Sequence, residues 1–134
     1  METESDYPYK AFDQTCQASG AKGLVKVEAY HDVLPNSVQQ LKAALDIGPV
    51  SVAIEADHAS FQFYEGGIIN DASCGTQLDH GVLAVGYGKE GDQEYFLVKN
   101  SWGAAWGENG YVRIAATQDN VCGILSQPSY PVVQ

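Results

Sequence analysis

Gly81-Val82-Leu83-Ala84-Val85-Gly86-Tyr87 and Glu94-Tyr95-Phe96-Leu97-Val98-Lys99 flank the turn-forming hexapeptide Gly88-Lys89-Glu90-Gly91-Asp92-Gln93. Both flanks are rich in β-branched and aromatic residues and end in glycine or charge, so they read as antiparallel strands. Gly110-Tyr111-Val112-Arg113-Ile114-Ala115 repeats the pattern. Upstream, Val50-Ser51-Val52-Ala53-Ile54 predicts a strand with Val50, Val52 and Ile54 on one face. Before it, Asn36-Ser37 caps a predicted helix whose buried stripe is Val38, Leu41, Ala44 and Leu45, stopped by Gly48-Pro49. Leu24-Val25-Lys26-Val27-Glu28-Ala29-Tyr30 alternates apolar and polar at period two, which predicts a strand with one wet face. Residues 1–23 are polar and end in a loop, Ser19-Gly20-Ala21-Lys22-Gly23. Ser60-Phe61-Gln62-Phe63-Tyr64 is a short aromatic segment stopped by Gly66-Gly67, with Phe61, Phe63 and Tyr64 expected in the core. The predicted class is α+β and predominantly antiparallel β, a barrel-like sheet that hides its edges, with one or two short helices.

The 134 residues suffice for one domain of ordinary size. Seventeen acidic against seven basic residues set the net charge at −10. That balance argues against nucleic acid as a partner, because such binding needs a basic footprint on the phosphates. It equally disfavours docking on an anionic membrane. No stretch approaches the roughly 20 predominantly apolar residues of a spanning helix. The opening Met1-Glu2-Thr3-Glu4-Ser5-Asp6 does not read as a secretory leader, and Tyr7-Pro8-Tyr9 reads as an extended connector arriving from elsewhere. Cys16, Cys74 and Cys122 are widely spaced, without the close pairs of a zinc site. An odd count leaves two readings, one disulfide plus a free thiol or one disulfide plus a half-cystine whose partner lies outside the chain.

A hairpin folded about Glu90 brings His80 and Asn100, each ten residues from it, side by side at its open end. Directly opposed residues of an antiparallel pair have Cα atoms about 4.5–5.5 Å apart. An amide oxygen can accept the imidazole N–H, fixing ring orientation and tautomer and leaving the second nitrogen for a nucleophile's proton. A thiol suits this pair, since it ionises readily beside an imidazolium, whereas hydroxyl-based triads usually use a carboxylate as orienter. On spacing alone, a structural hydrogen bond and a catalytic dyad both remain open.

Leu78-Asp79-His80-Gly81-Val82-Leu83-Ala84-Val85-Gly86-Tyr87-Gly88 resembles the histidine segment of papain-like cysteine peptidases of the cathepsin L type. Lys99-Asn100-Ser101-Trp102-Gly103-Ala104-Ala105-Trp106-Gly107-Glu108-Asn109-Gly110-Tyr111 resembles their asparagine segment. Asp6-Tyr7-Pro8-Tyr9, Gly48-Pro49-Val50-Ser51-Val52-Ala53, Phe63-Tyr64-Glu65-Gly66-Gly67-Ile68 and Cys122-Gly123-Ile124 follow in the family's order. The resemblance implies the barrel-side, C-terminal (right-hand) domain of a papain-like fold over residues 24–134, with 1–23 a connector from an N-terminal half.

It further implies His80 as general acid/base and Asn100 as its orienting partner. Trp102 would cover their hydrogen bond, and Trp106 would line the leaving-group side of the cleft. Ala53, Leu78 and Gln127 match positions around a side-chain pocket, apolar at the first two and with an amide at its far end. Asp79 either adds negative potential favouring the imidazolium or is a solvated turn residue. Cys74 and Cys122 match the family's disulfide, and Cys16 a half-cystine with its partner elsewhere.

The family's nucleophile segment, C-G-S-C-W with an upstream glutamine, does not occur in this sequence. Its usual separation from the histidine would place it roughly 50–70 positions before Met1. The expectation is therefore the C-terminal part of a cysteine endopeptidase, inactive alone, acting on a polypeptide substrate. It would act together with the N-terminal half or a separate nucleophile-bearing chain. The rival is a truncated or non-catalytic peptide-binding module. No metal or organic cofactor is implied, and the disulfides imply a secretory route to a lysosome, a vacuole or the outside. His31 and His58 read as exposed and without a role, Ser101 as part of a turn, and Gly86-x-Gly88 as a hairpin feature rather than a phosphate loop.

Overall fold

A computed structural model describes residues 2–10, 12–18 and 25–134. In chain order its elements are β1 (Val27–Asp32), α1 (Val38–Leu45), β2 (Val50–Ile54), α2 (Ala59–Gln62) and β3 (Ile68–Ile69). They continue with β4 (His80–Glu90), β5 (Gln93–Lys99), β6 (Tyr111–Ala115) and β7 (Ser129–Val133). Residues 32–130 form one compact unit, and residues 1–31 with 131–134 form another. No helix among the described residues is long and apolar enough to cross a membrane.

In the larger unit the strand order is β7-β2-β4-β5-β6-β3. All neighbours are antiparallel except β3 and β6, where Ile68 and Ile69 lie parallel to Arg113 and Ile114. The sheet is mostly antiparallel with two short helices, as expected. Helix α1 begins where expected, with the Ser37 hydroxyl accepting the Gln40 N–H at 3.2 Å. It buries Val38, Leu41 and Ala44. Alternation along β2 sends Val50, Val52 and Ile54 into the core, and Ser51 out. There they join fully buried Leu41, Phe61, Phe96, Val98, Val112 and Ile114. The aromatic segment is the helix α2, and it splits its rings: Phe61 and Tyr64 are buried, while Phe63 is 79% exposed rather than in the core. One short helix has a single buried face, and adjacent positions cannot share it.

In the smaller unit, Asp6 N–H bonds back to Thr3 O, and the Gln17 N–H donates to the Tyr7 hydroxyl. Strand β1 starts later than the alternation suggests and lies beside the end of β7, where Lys26 and Gln134 exchange backbone hydrogen bonds. All six of its residues are exposed, instead of one face being buried. Period two sets the pleat, but burial requires an apolar layer over one face, and the described residues supply none. The loop expected at 19–23, and Leu24, lie outside the described residues.

Candidate active site

The β4–β5 hairpin sets the site. Glu90 faces Gln93, so the turn is Gly91–Asp92, with Gly91 at φ +59°. A bulge between Ala84 and Gly86 shifts the register, and beyond it Ala84 faces Val98 and Leu83 faces Lys99. Continuing that register sets Asn100 level with Val82, two residues along the strand from His80. The two are therefore diagonal neighbours rather than directly opposed, a separation that side chains on one face still bridge. They do so: His80 Nε2 lies 2.8 Å from Asn100 Oδ1.

Asn100 follows the last residue of β5 and is buried, with its N–H on Gly110 O at 2.9 Å. Its Oδ1 also accepts the Ser101 N–H at 2.7 Å. A backbone N–H can only donate, so this second bond fixes which amide atom is oxygen. The atom facing it from His80 must then be the protonated nitrogen, Nε2. Nδ1 is left as the acceptor. Ser101 thus serves as a turn residue that orients the amide.

His80 is the first residue of β4, opposite Ile54 of β2. Just before it, the Asp79 N–H donates to Ile54 O at 3.0 Å and Asp79 Oδ1 accepts the Ala56 N–H at 2.8 Å. The Asp79 carboxylate pins the start of β4 to the chain leaving β2. The Trp102 ring stacks on the imidazole, with centroids 5.1 Å apart and planes at 28°. Behind it, Phe61 meets Trp102 edge-on at 5.4 Å and Trp106 at 5.0 Å. Trp106 also packs on Tyr64 and donates its Nε1–H to Gln62 O at 3.1 Å. Helix α2 is therefore the platform under both tryptophans. His58, expected to be exposed and idle, is half-buried and caps that helix, its Nδ1 contacting Ser60 N and Oγ.

A second structural device holds the tryptophan loop. Glu108 Oε1 accepts the Gly67 N–H at 3.0 Å and Arg113 Nη2 at 2.7 Å, while its Oε2 accepts Arg113 Nε at 2.9 Å. Arg113 Nη1 reaches Glu90 Oε2 at 2.5 Å, and its guanidinium lies over the Tyr95 ring. The arginine's hydrogen bonds draw the Glu108 carboxyl below its usual range. Burial raises the nearby Tyr64 phenol, whose hydroxyl donates to Gly67 O. Residues five and 23 apart with no periodic pattern gave no signal of this clamp. The only pointer is that Arg113 and Glu108 flank the same turn.

The three pocket residues are placed separately. Ala53 faces Gly81 across β2–β4. Leu78 packs on Gly123, where a Cβ would stand 2.7 Å from Leu78 Cδ2. Gln127 is exposed and lines a cleft of about 530 Å³ with Asp32, Val33, Pro35 and Pro128, and neither Ala53 nor Leu78 borders that cleft. Cys74 and Cys122 form a buried disulfide, and Cys16 is a free, exposed cysteine in the smaller unit. Among the described residues no group of three or more His, Cys, Asp or Glu converges on a metal position.

The family described as papain family cysteine protease matches residues 1–132. Cysteine proteinase RD21A of Arabidopsis thaliana is 49% identical over 98% of this chain, which spans 29% of that protein. A cathepsin L-like peptidase of Aedes aegypti is 47% identical over 99% of this chain, which spans 40% of it. The solved structure of the bromelain protease from Ananas comosus with the E64 inhibitor superposes with a TM-score of 0.89 at 38% identity, covering 98% of this chain and 62% of that one. The chain thus spans well under half the length of these two relatives. Matched across nearly all of its residues, it belongs to the papain family of cysteine proteases.

Proposed function

We propose that this chain supplies the acid/base half of a cysteine endopeptidase whose nucleophilic cysteine is carried by polypeptide outside it. The observation that carries the reading is the 2.8 Å contact of His80 Nε2 with Asn100 Oδ1 under the Trp102 ring. With Nε2 committed to the amide, Nδ1 is the nitrogen that faces an incoming thiol and takes its proton. The thiolate adds to the substrate carbonyl carbon. The imidazolium Nδ1–H passes its proton to the departing amine as the C–N bond breaks, leaving a thioester. Water then attacks that thioester, Nδ1 accepts its proton, and the C–S bond breaks to release the acid and regenerate the thiolate. Trp102 screens the His80–Asn100 bond from water, which strengthens it by lowering the local dielectric. Asn100 positions the ring, and Trp106 flanks the leaving-group side.

None of the three visible cysteines is a good nucleophile. Cys74 and Cys122 are spent on each other, and C-G-S-C-W is absent from the sequence. The substrate is a polypeptide, and the partner is the N-terminal half or a separate nucleophile-bearing chain. The disulfide supports an oxidising, secretory destination: a lysosome, a vacuole or the exterior.

The test joins this chain to a nucleophile-bearing N-terminal portion and measures hydrolysis of a fluorogenic peptide. His80→Ala should lower kcat by about 10²–10⁴-fold, and Asn100→Ala by about 10- to 100-fold through misorientation. The isolated chain should neither hydrolyse the peptide nor be labelled by a thiol-reactive peptide analogue. Stoichiometric labelling of Cys16, or activity indifferent to His80, would overturn the assignment.

A further inference from the structure

The cleft beside Gln127 has a composition that selects a ligand. Its floor is apolar, formed by buried Val33 and Pro128, and the Val33 N–H donates to Pro128 O at 2.9 Å, tying the two walls together. At its rim stand the amide of Gln127 and the carboxylate of Asp32, both exposed. Asp32 forms no ion pair or side-chain hydrogen bond with any described residue. No lysine or arginine lines the cleft, so no resident cation neutralises that carboxylate. With only seven basic residues in the chain, competition from elsewhere on the surface is small.

The cleft also lies on the side of the molecule that leads to the imidazole. Gly123 abuts Leu78, and Ser126 Oγ stands 3.7 Å from the same point, while Leu78 precedes His80 by two residues. A peptide held at His80 and passing Leu78 runs toward the segment that carries Gln127.

We propose that this cleft receives an arginine or lysine side chain of the bound peptide, with Asp32 as the residue that selects it. The assignment rests on the protease reading above. Long cationic side chains lay their methylene stems along apolar surface and keep the charged head at the rim, which is the order in which Val33, Pro128 and Asp32 are met. An apolar side chain of equal length would fill the floor but leave the carboxylate partly desolvated and unpaired. A glutamate would be repelled.

The test measures binding directly, so that it does not depend on turnover. Fluorescein-labelled Ala-X-Ala-Ala peptides with X as Arg, Leu or Glu are titrated with the full chain and followed by anisotropy. The arginine peptide should bind about three- to tenfold more tightly than the leucine peptide, the range of a partly desolvated ion pair. Added salt should shrink the ratio. Asp32→Asn should bring it close to one, and Gln127→Glu, which places a second carboxylate at the rim, should raise it. Equal affinity for the arginine and leucine peptides, or a preference that Asp32→Asn leaves intact, would overturn the assignment. A preference that depends on Asp32 in a chain whose joined form hydrolyses nothing would sink the protease reading while upholding the cleft.

Discussion

Replacing Glu108 by glutamine tests the clamp that holds the tryptophan loop. The wild-type carboxylate accepts three hydrogen bonds, two from Arg113 and one from the Gly67 backbone. The glutamine keeps one oxygen, so at least one arginine donor faces an NH2 group that cannot accept. Hydrogen bonds to charged groups contribute about 1.5–3 kcal/mol each. Arg113 retains Glu90, so it is not stranded, and the loss should stay below the 3–5 kcal/mol typical of an orphaned buried ion. The side chains are 17% and 32% exposed, so screening trims the sum further. We expect about 2–3 kcal/mol, or a Tm lower by about 8–12 °C. The chain's only two tryptophans, Trp102 and Trp106, both lie in the clamped loop, so urea unfolding followed by tryptophan emission reports on it directly. The sign with pH follows from the lowered carboxyl. Its stabilisation is fully present above the ordinary glutamate value of 4.5 and is lost as pH falls through the lower folded value. The gap between wild type and variant should therefore narrow as the buffer is taken from about pH 5 towards about pH 3. A gap under about 0.5 kcal/mol at neutral pH, or one that persists unchanged in acid, would refute the reasoning.

Reducing the Cys74–Cys122 bond, which closes a loop between residues 48 apart, should cost about 4 kcal/mol in urea midpoint titrations run with and without dithiothreitol. Phe61→Ala removes a fully buried ring from under both tryptophans. It should destabilise by about 3–5 kcal/mol and change the tryptophan emission of the folded state. Ser37→Ala deletes the α1 cap and should cost about 1 kcal/mol by thermal denaturation. Gly107→Ala forces a Cβ at φ +56° to within 2.6 Å of Tyr111 O and 2.9 Å of the Tyr64 ring. It should cost more than the cap deletion, measured side by side.

Local chemistry made much of this readable. Val50–Ile54 declares itself by alternation, and α1 by a serine cap and an apolar stripe, because both signals act within a few residues. The His80–Asn100 meeting was legible from the hairpin's length, but its geometry was not. A bulge at Val85 and a two-residue turn one step further along move the pair from opposed to diagonal, and neither leaves a residue-type mark strong enough to place it. Strand β3 is two residues long and pairs in parallel with a strand far along the chain, so no period announces it. The aromatic segment showed that rings would pack but not which ones. Phe61 points inward and Phe63 outward because a four-residue helix, rather than a strand, carries them. The pocket residues carried no pairwise pattern, and the structure sets Gln127 in a cleft apart from Ala53 and Leu78.

The bulge in β4 also divides the hairpin into two arms with opposite tolerance for edits. Between the bulge and His80, deleting one residue would turn the imidazole to the other side of the sheet, since side chains alternate at every step. Beyond the bulge, the Gly91–Asp92 tip is exposed and far along the strands from the histidine. An affinity tag or a fluorophore spliced there should leave the chemistry untouched, whereas the same graft placed before Ala84 would scramble it.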